Sequence, residues 1–581
     1  MSSASVQRRM VWILAIVTLG LAALLGRLFY IQVLGRHDMQ GRDLVAASVD
    51  QRRETFVIDS GRGDILDRHG RSLTGSRIRG VLVMPLWAEG PDPVKVEEMA
   101  RILRLRPEVL RNGLAKINRP SLLRTPAGDG KEQIVEITEE QAKLIEKLEL
   151  PGVYPKEVKV RYGENSLARH VIGFIGQDPE LVRQAFGGKY PLHEQIGKMG
   201  LEFLFQDDLR GLGYNKSISY FIDAGKRPVN GLGIRVTDEE NRALSVKTTL
   251  DLDVQKAVET SMEKHGLNKG SVVILDARTE EILAMASRPQ YDQNAPVTRG
   301  EYPVNKAVQA DFPGSVFKVV VAAAALEKGV VRPADPFYCP GYIEIGDGKL
   351  NCWAEHGSIT AEQGFARSCN VVFASLAMKL GRPAIEEYAR KMGLGQLVTQ
   401  PVDGKPQLYG EEHGQIFAKK ETSYRLLANT GIGQEDVRMS PLQAAHMMAV
   451  ILNNGIAGKP RLVQELLTST DGMLYKTYPA AKQQGPLLDK ETAAELRKWM
   501  RQTVDSPKGT AHLLASAKVP LAGKTGTAQT GMAGLHHHWF AGYAPADKPK
   551  YIIVVMAEDV ATDSGSQLVQ NVTKEIVDQL F

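Results

Sequence analysis

The sequence predicts an α+β protein, in which a mixed α/β region follows one apolar N-terminal helix and precedes a large domain with helices packed on an antiparallel sheet. Three observations along the 581 residues lead to this prediction. An uncharged segment lies near the N-terminus, and a charged region with few long apolar runs follows it. Strand patterns then enclose a block of helical patterns, an order typical of helices packed on an antiparallel sheet.

The composition excludes several classes of protein. Apolar residues make up 43% and charged residues 24% of the chain, a balance that excludes a disordered or low-complexity protein. With 72 basic against 67 acidic residues, the net charge of +5 gives no argument for a nucleic-acid partner, and we expect none. Three cysteines are too few for a disulfide framework.

The apolar segment at 10–34 is long enough to be a transmembrane helix. Residues 10–25 carry no charge and follow Arg8 and Arg9, and the apolar character continues beyond Arg27. At about 1.5 Å per residue such a segment spans a hydrocarbon core of roughly 30 Å. A cleaved signal peptide has the same charge pattern, but no convincing small-residue cleavage site precedes a polar mature start. We therefore expect an uncleaved signal anchor, whose orientation the flanking charges leave open.

The region beyond residue 245 carries regular patterns of strands and helices. Apolar runs bounded by turn residues predict the strands, and apolar residues at helical spacing predict the helices. The predicted elements are a hairpin at 271–275 and 282–286, a helix from Pro313-Gly314 to Gly329, strands at 539–544 and 551–557, and a final helix at 568–580.

Ser315 and Lys318 are a candidate nucleophile and its base. They lie three positions apart at the start of the predicted helix and therefore share one face. A serine needs a neighbouring base, and a desolvated lysine with a lowered pKa can take its proton. Free N–H groups at a helix N-terminus can stabilise an oxyanion. A second S-x-x-K, at 261–264, lacks the Pro-Gly entry and the apolar continuation, so we interpret it as a solvated helix face.

Two further motifs offer groups that complement this pair. Ser-Cys-Asn at 368–370 places a hydroxyl and a carboxamide on a turn between predicted helices. Lys-Thr-Gly-Thr at 524–527 ends a short predicted strand, with a charge, two hydroxyls and a glycine where a substrate backbone could pair with the strand edge. Each motif alone is ordinary turn or loop composition. Together and in this order, the three motifs indicate one active site.

The order S-x-x-K, S-x-N and K-T-G resembles the motif set of class A β-lactamases and penicillin-binding proteins, although Cys369 stands where the usual set has Asp. Other stretches narrow the resemblance to class B penicillin-binding proteins, the anchored monofunctional peptidoglycan D,D-transpeptidases. These stretches are R-G-D-I-L-D-R at 62–68, G-L-E at 200–202, L-R-G at 209–211, T-G-I-G-Q at 430–434, S-P-L-Q at 440–443 and W-F-A-G-Y at 539–543.

This resemblance implies a domain organisation and a topology. It implies a cytoplasmic tail at 1–9, the anchor at 10–34, an elongated pedestal (penicillin-binding protein dimerisation) domain at 40–245, and a transpeptidase domain with the penicillin-binding fold at 246–581. The protein would then be a single-pass protein of the cell membrane, with its large C-terminal portion extracytoplasmic.

The resemblance also implies a role for each motif residue in an acyl-enzyme mechanism that cross-links stem peptides with release of D-alanine. The catalytic residues would be Ser315 (nucleophile), Lys318 (general base), Ser368 (proton relay to the leaving amine), Asn370 (donor peptide amide) and Lys524 (positive potential). Thr525, Gly526 and Thr527 would bind the substrate, with the two threonines on its terminal carboxylate. The backbone N–H groups of Ser315 and Thr527 would form the oxyanion hole.

The resemblance further implies partners: the lipid-linked stem pentapeptide of peptidoglycan, β-lactams as inhibitors, the plasma membrane and a membrane glycosyltransferase. We expect no cofactor. We also expect no metal, because the adjacent histidines at 536–538 diverge and lack a cluster of further ligands. Cys339 and Cys352 flank a predicted hairpin and are a candidate disulfide. Cys369 is expected to be a small buried side chain.

Four alternative functions are weighed against a transpeptidase. A serine β-lactamase needs a base for deacylation, and none can be assigned; a β-lactam sensor is expected to have several membrane spans. Intact motifs argue against a catalytically idle scaffold. A D,D-carboxypeptidase differs only in using water as the acceptor, so that side activity stays open. The Ser-Cys-Asn triplet resembles sporulation-type members, while roles in elongation and division stay open as well.

Overall fold

The computed structural model describes residues 3–30, 53–84, 91–118, 120–126, 132–163, 165–192, 194–211, 216–221, 235–238, 242–295, 297, 300–418, 422–532 and 534–581. The chain divides into two compact units. The first comprises Met1–Gly61, Arg77–Lys159 and Gly213–Asn241, and the second comprises Arg62–Ser76, Val160–Leu212 and Arg242–Phe581.

The first unit begins with the apolar helix Ser3–Phe29, of which Arg9–Phe29 is long and apolar enough to cross a membrane. The predicted anchor at 10–34 therefore starts inside this helix, and its residues 31–34 lie outside the described part of the chain. Within the described part of the chain, this helix alone meets that criterion, and it is a candidate membrane span.

The rest of the first unit is mixed α/β, as predicted. An antiparallel sheet has the strand order Arg53–Asp59, Lys216–Phe221, Arg235–Asp238. A second sheet has the order Ser121–Leu122, Ser76–Val83, Val153–Val160, and a hairpin joins Arg124–Pro126 to Glu132–Ile134. Among its described residues, this unit also has the helices Pro93–Leu103, Pro107–Ala115 and Glu139–Lys147.

The second unit is built on a five-stranded antiparallel sheet, called here the central sheet. Its strand order is Ile282–Arg288, Gly270–Asp276, Tyr551–Ala561, Leu535–Ala544, Ala522–Gln529. The other strands of this unit are Ile65–Leu66, Ile175–Gln177, Gln195–Gly197, Leu244–Thr248, Pro336–Cys339, Tyr342–Ile345, Gly348–Asn351, Gly357–Thr360, Gln415–Ile416, Val437–Arg438, Val463–Thr468 and Leu474–Thr477.

Helices cover both faces of the central sheet. Along the strand Gly270–Asp276, Val273 and Leu275 pack into one apolar core while Val272 and Ile274 pack into another. Alternate residues of a strand point to opposite faces, so a strand buried on both faces is a continuous apolar run.

The described part of this unit has longer and shorter helices. The longer helices are Leu252–Lys264, Lys318–Glu327, Asn370–Lys391, Tyr424–Gly431, Pro441–Leu452, Lys490–Asp505 and Thr562–Leu580. The shorter helices are Arg169–Ile172, Pro179–Ala185, Gly200–Leu204, Gln206–Arg210 and Ala361–Ala366.

This architecture confirms the predicted α+β class, and two local predictions need correction. Lys-Thr-Gly-Thr was expected to end a strand but lies within the strand Ala522–Gln529, where Gly526 packs closely against the carbonyl of Pro313. The second S-x-x-K is not a solvated face. Ser261 is buried and donates to the Ala257 carbonyl at 2.7 Å, while Lys264 is exposed.

Candidate active site

Ser315 lies on a short 3₁₀ turn, Gly314–Phe317, which leads directly into the helix Lys318–Glu327, called here the nucleophile helix. Every residue of this helix from Lys318 to Ala325 is buried. The alanine- and valine-rich sequence suits such a position, since a helix that is apolar all round packs within a core. The helix therefore holds the turn that carries Ser315 on a rigid support.

Two glycines allow this turn to lie against the strand Ala522–Gln529, called here the KTG strand. A Cβ atom at Gly314, whose φ is +52°, would lie 2.3 Å from the carbonyl oxygen of Thr527. A Cβ atom at Gly526 would lie 2.6 Å from the carbonyl oxygen of Pro313. Side chains at either position would force the two backbones apart. The first and third motifs are therefore in direct backbone contact.

Lys318 joins the first motif to the second. Its ammonium group is fully buried and donates to the carbonyl oxygen of Ser368 at 2.8 Å and to Oδ1 of Asn370 at 2.7 Å, and it lies 3.3 Å from Oγ of Ser368. Burial lowers the pKa of Lys318 to about 8. A lysine in this range has a neutral fraction near pH 7 and can accept a proton.

Ser368 occupies the corner between the helices Ala361–Ala366 and Asn370–Lys391. Its φ of +55° is in the left-handed region, which costs energy for a residue other than glycine. Asn370, the first residue of the second helix, accepts from Lys318 and donates through Nδ2 to the carbonyl of Asn351 at 3.0 Å. The strained corner thus aims a serine hydroxyl and an asparagine amide at one buried lysine.

The KTG strand contributes a second buried lysine. Lys524 is buried and donates to the carbonyl of Thr525 at 3.1 Å, and burial, together with the charge of Lys318, holds its pKa well below its usual range. The Thr525 hydroxyl is paired with that of Thr510 at 2.6 Å. Thr527 is exposed and so can reach a ligand. A proton on either of these two buried lysines gives the site a positive potential suited to an anionic substrate group.

Some residues of this site were missed at the sequence level. Thr510 and Asn351 contact motif residues, yet nothing in their local sequence marks them. The triple histidine lies on the central sheet, where His537 pairs with Asp311 at 3.0 Å and His538 is buried. Cys339 and Cys352, the candidate disulfide, are both free thiols, and Cys369 is buried as expected.

The fold and the site together define the class of penicillin-recognising serine enzymes. The fold is a central sheet between layers of helices, and in the site a buried lysine links the serine turn to the Ser-x-Asn corner. Comparison with known proteins assigns the chain to the same class. Residues 270–578 match the family model of the penicillin-binding protein transpeptidase domain, and residues 57–234 match that of the penicillin-binding protein dimerisation domain.

Individual relatives match along most of the chain. Stage V sporulation protein D of Bacillus subtilis is 28% identical over 577 residues, covering 96% of this chain and 82% of the relative. The peptidoglycan D,D-transpeptidase MrdA of Acinetobacter baumannii is 27% identical, covering 95% and 84%. The peptidoglycan D,D-transpeptidase PbpA of Mycolicibacterium smegmatis is 31% identical, covering 56% and 69%.

A solved structure also matches, described as "Structural coordination of polymerization and crosslinking by a peptidoglycan synthase complex". It superposes with a TM-score of 0.66 at 25% identity and covers 98% of both chains. The chain belongs to the class B penicillin-binding proteins. It is a serine-type D,D-transpeptidase of cell-wall synthesis, which acts on peptidoglycan and binds β-lactams, and the predicted family, fold and enzyme class are thereby confirmed.

Proposed function

We propose that this transpeptidase acts through an acyl-enzyme on Ser315, with Lys318 as the general base. The observation that carries the proposal is the position of Lys318: it follows the Ser315 turn and its ammonium is held by Ser368 and Asn370. A buried amine with a pKa of about 8 is partly neutral at physiological pH.

Acylation begins when Oγ of Ser315 attacks the carbonyl carbon between the last two D-alanines of a stem pentapeptide and its proton passes to Lys318. The tetrahedral intermediate carries an oxyanion, which the backbone N–H groups of Ser315 and Thr527 stabilise. The turn and the KTG strand are in backbone contact, so these two N–H groups come from adjacent backbones. Ser368 relays the proton from Lys318 to the departing amine, and D-alanine leaves.

The substrate is held by the other motif residues. Lys524 supplies positive potential for the terminal carboxylate, and Thr525 and Thr527 donate their hydroxyls to it. Gly526, which bears no side chain, lets the KTG strand lie against the Ser315 turn, so that the strand edge can pair with the substrate backbone beside the nucleophile. Asn370 binds the donor's peptide amide. An amine from a second stem then attacks the acyl-enzyme and forms the cross-link; attack by water would give carboxypeptidase activity instead.

We further propose the topology that the family resemblance implies: a cytoplasmic tail at 1–9, an anchor at 10–34, a pedestal at 40–245 and an extracytoplasmic transpeptidase domain at 246–581. The candidate span and the two family matches, at 57–234 and 270–578, support this division. The likeness to a chain of a peptidoglycan synthase complex supports a membrane glycosyltransferase as partner.

Labelling with a fluorescent penicillin tests the site. The wild-type protein in detergent should form a long-lived covalent adduct, and Ser315→Ala should form none. Ser261→Ala is the matched control, because Ser261 lies in the second S-x-x-K and is buried on another helix. An undiminished adduct in Ser315→Ala, or loss of the adduct in the control alone, would refute the assignment.

A further inference from the structure

His537, the middle residue of the triple histidine, links the central sheet to the segment that leads into the Ser315 turn. Its Nε2 lies 3.0 Å from Oδ2 of Asp311, a residue four positions before Ser315. The side chain of His537 is only 9% exposed, so water competes little for this contact. In the central sheet His537 lies opposite Ala528 of the KTG strand. Its imidazole therefore reaches from the neighbour of the KTG strand to the entry of the nucleophile turn.

A β-bulge aims this side chain at Asp311. The strand that carries His537 shifts register against its neighbour between His536 and His538, and Asp559 on that neighbour has a φ of +53°. Such bulges re-aim a side chain and are frequent next to active sites, and a left-handed φ costs energy for a residue other than glycine. The backbone N–H of Asp559 donates to Nδ1 of His537 at 3.2 Å. The strained bulge thus fixes the orientation of one imidazole ring.

Both ring nitrogens of His537 are engaged, which distinguishes this pair from a catalytic His-Asp dyad. Since Nδ1 accepts the N–H of Asp559, the neutral ring carries its proton on Nε2 and donates it to Asp311. Burial alone would raise the pKa of Asp311, but hydrogen bonds, chiefly that from His537, hold it below its usual value. A ring held at both nitrogens is unsuited to take a proton from a substrate, but it can fix the carboxylate that it holds.

The carboxylate of Asp311 is joined to the backbone that carries Ser315. Its Oδ1 accepts from the N–H of Phe312 at 2.7 Å, so the side chain and the backbone move as one unit. The N–H of Gly314, two residues further on, donates to the carbonyl of Gly433 at 3.0 Å. A Cβ atom at Gly433, whose φ is +82°, would collide with the carbonyl oxygen of Gly314, so these two backbones are in direct contact. The entry to the nucleophile turn is therefore held on both of these sides, by a backbone and by an imidazole.

We propose that His537 and Asp311 form a positioning pair, which holds the Ser315 turn at the separation from the KTG strand that acylation requires. The proposal rests on the proposed function, with Ser315 as the nucleophile and the backbone N–H groups of Ser315 and Thr527 as the oxyanion hole. One of these N–H groups belongs to the turn and the other to the KTG strand, which pairs with the strand of His537. The pair therefore sets the width of the oxyanion hole through the backbone and not through contact with the substrate.

Loss of the pair should slow the chemical step and leave the binding of penicillin nearly unchanged. The oxyanion forms only after attack by Ser315, so displaced N–H donors weaken the transition state more than the initial complex. A displacement of about 1 Å at a reacting group can cost about a hundredfold in rate. We therefore expect the acylation rate constant to fall about tenfold to a hundredfold. The dissociation constant of the noncovalent penicillin complex should change less than about twofold.

Variants of the full-length protein in detergent, mixed with a fluorescent penicillin in a stopped-flow instrument, test the pair. His537→Ala and Asp311→Ala should slow acylation equally, and the double variant should be no slower, because each change removes the same contact. His537→Gln can place an amide N–H where Nε2 lies, so its rate should stay within about threefold of the wild-type rate. His537→Asn can place an oxygen near Nδ1, which satisfies Asp559 but gives Asp311 no donor. It should therefore be as slow as His537→Ala.

His446→Ala is the matched control. His446 is also buried, and its Nδ1 lies 2.7 Å from Oε2 of Glu280, so the same kind of pair is removed. Glu280 lies in the turn after the strand Gly270–Asp276, at the end of that strand away from His537. His446→Ala should lower the melting temperature, as His537→Ala does, but leave the acylation rate constant unchanged.

The outcomes separate this proposal from the assignment of the nucleophile. A wild-type acylation rate in folded His537→Ala, with the adduct on Ser315, would overturn the positioning role and leave the nucleophile intact. Equal slowing in His446→Ala, or a His537→Gln as slow as His537→Ala, would also overturn it, because the effect would then follow general stability. If His537→Ala does not fold, His537→Asn and Asp311→Ala carry the same prediction. An adduct that persists in Ser315→Ala would refute the proposed function itself.

Discussion

Replacement of Glu202 by glutamine should destabilise the second unit strongly. Glu202 is fully buried and accepts from Nε of Arg62 at 2.7 Å, from Nε of Arg161 at 2.7 Å and from the Tyr162 hydroxyl at 2.8 Å. Without the carboxylate, the two buried guanidinium groups lose the counter-charge that they share, and among the described residues only Asp64, 3.7 Å from Arg161, is left beside that arginine. Breaking a buried pair in this way typically costs about 3–5 kcal/mol.

The pKa of Glu202 gives an independent magnitude. Burial alone would raise this pKa, but the charges of Arg161 and Arg62 outweigh it and lower the value from 4.5 to about 2. A difference of this size corresponds to roughly 3 kcal/mol of stability. Because the pKa is lower in the folded protein, this stabilisation is complete above about pH 4.5 and is lost as the pH falls toward about 2.

Urea unfolding, followed by the fluorescence of the buried Trp499 and Trp539, measures this effect. Glu202→Gln should lose roughly 3 kcal/mol at pH 7, and its difference from wild type should shrink under acid conditions. Asp547→Asn is the control: this residue is 80% exposed and lies 3.5 Å from Arg501, so its loss should cost at most about 0.5 kcal/mol. A loss below about 1 kcal/mol in Glu202→Gln, or a loss that does not depend on pH, would refute the reasoning.

Three further predictions concern the active site. Lys318→Arg should abolish penicillin acylation, because a guanidinium stays protonated and cannot act as the base. The acylation rate of the wild-type protein should rise with pH up to about 8 and then level off, as Lys318 loses its proton. A wild-type rate that does not change between pH 6 and pH 8 would contradict this role. Gly314→Ala should slow acylation at least tenfold in a stopped-flow assay, since its Cβ would lie 2.3 Å from the Thr527 carbonyl; a wild-type rate would show that the contact can relax. Thr510→Val, which removes the partner of the Thr525 hydroxyl, should raise the KM for a D-Ala–D-Ala peptide more than it changes kcat, and the reverse pattern would be inconsistent with a binding role.

The elements that could be predicted from the sequence are those whose pattern lies within a short stretch of the chain. The strand around Val272 and Ile274 is an apolar run because both faces of the sheet are covered, and Gly329, with φ +65°, follows the nucleophile helix as a C-terminal glycine should. Ser315 and Lys318 could be proposed as a pair because S-x-x-K places both within one helical turn. These features require no knowledge of distant parts of the chain.

The features that were missed depend on tertiary contacts. Arg62 and Glu202 belong to two stretches noted only by resemblance, and their pairing across 140 positions became evident only in the structure. The Ser-x-Asn motif was placed on a turn from its sequence, but the φ of +55° at Ser368 and the donation from Lys318 to its carbonyl became evident only in the structure.

The most direct test of the account is to locate the acyl group after reaction. The protein would be mixed with a penicillin, or with a D-Ala–D-Ala thioester analogue, then quenched, digested and mapped by mass spectrometry. If Ser315 is the nucleophile and Lys318 its base, one acyl group per chain should lie on the peptide that contains Ser315, and none should form in Lys318→Arg. Acylation at Ser368, at Ser261 or at a cysteine in place of Ser315 would contradict it.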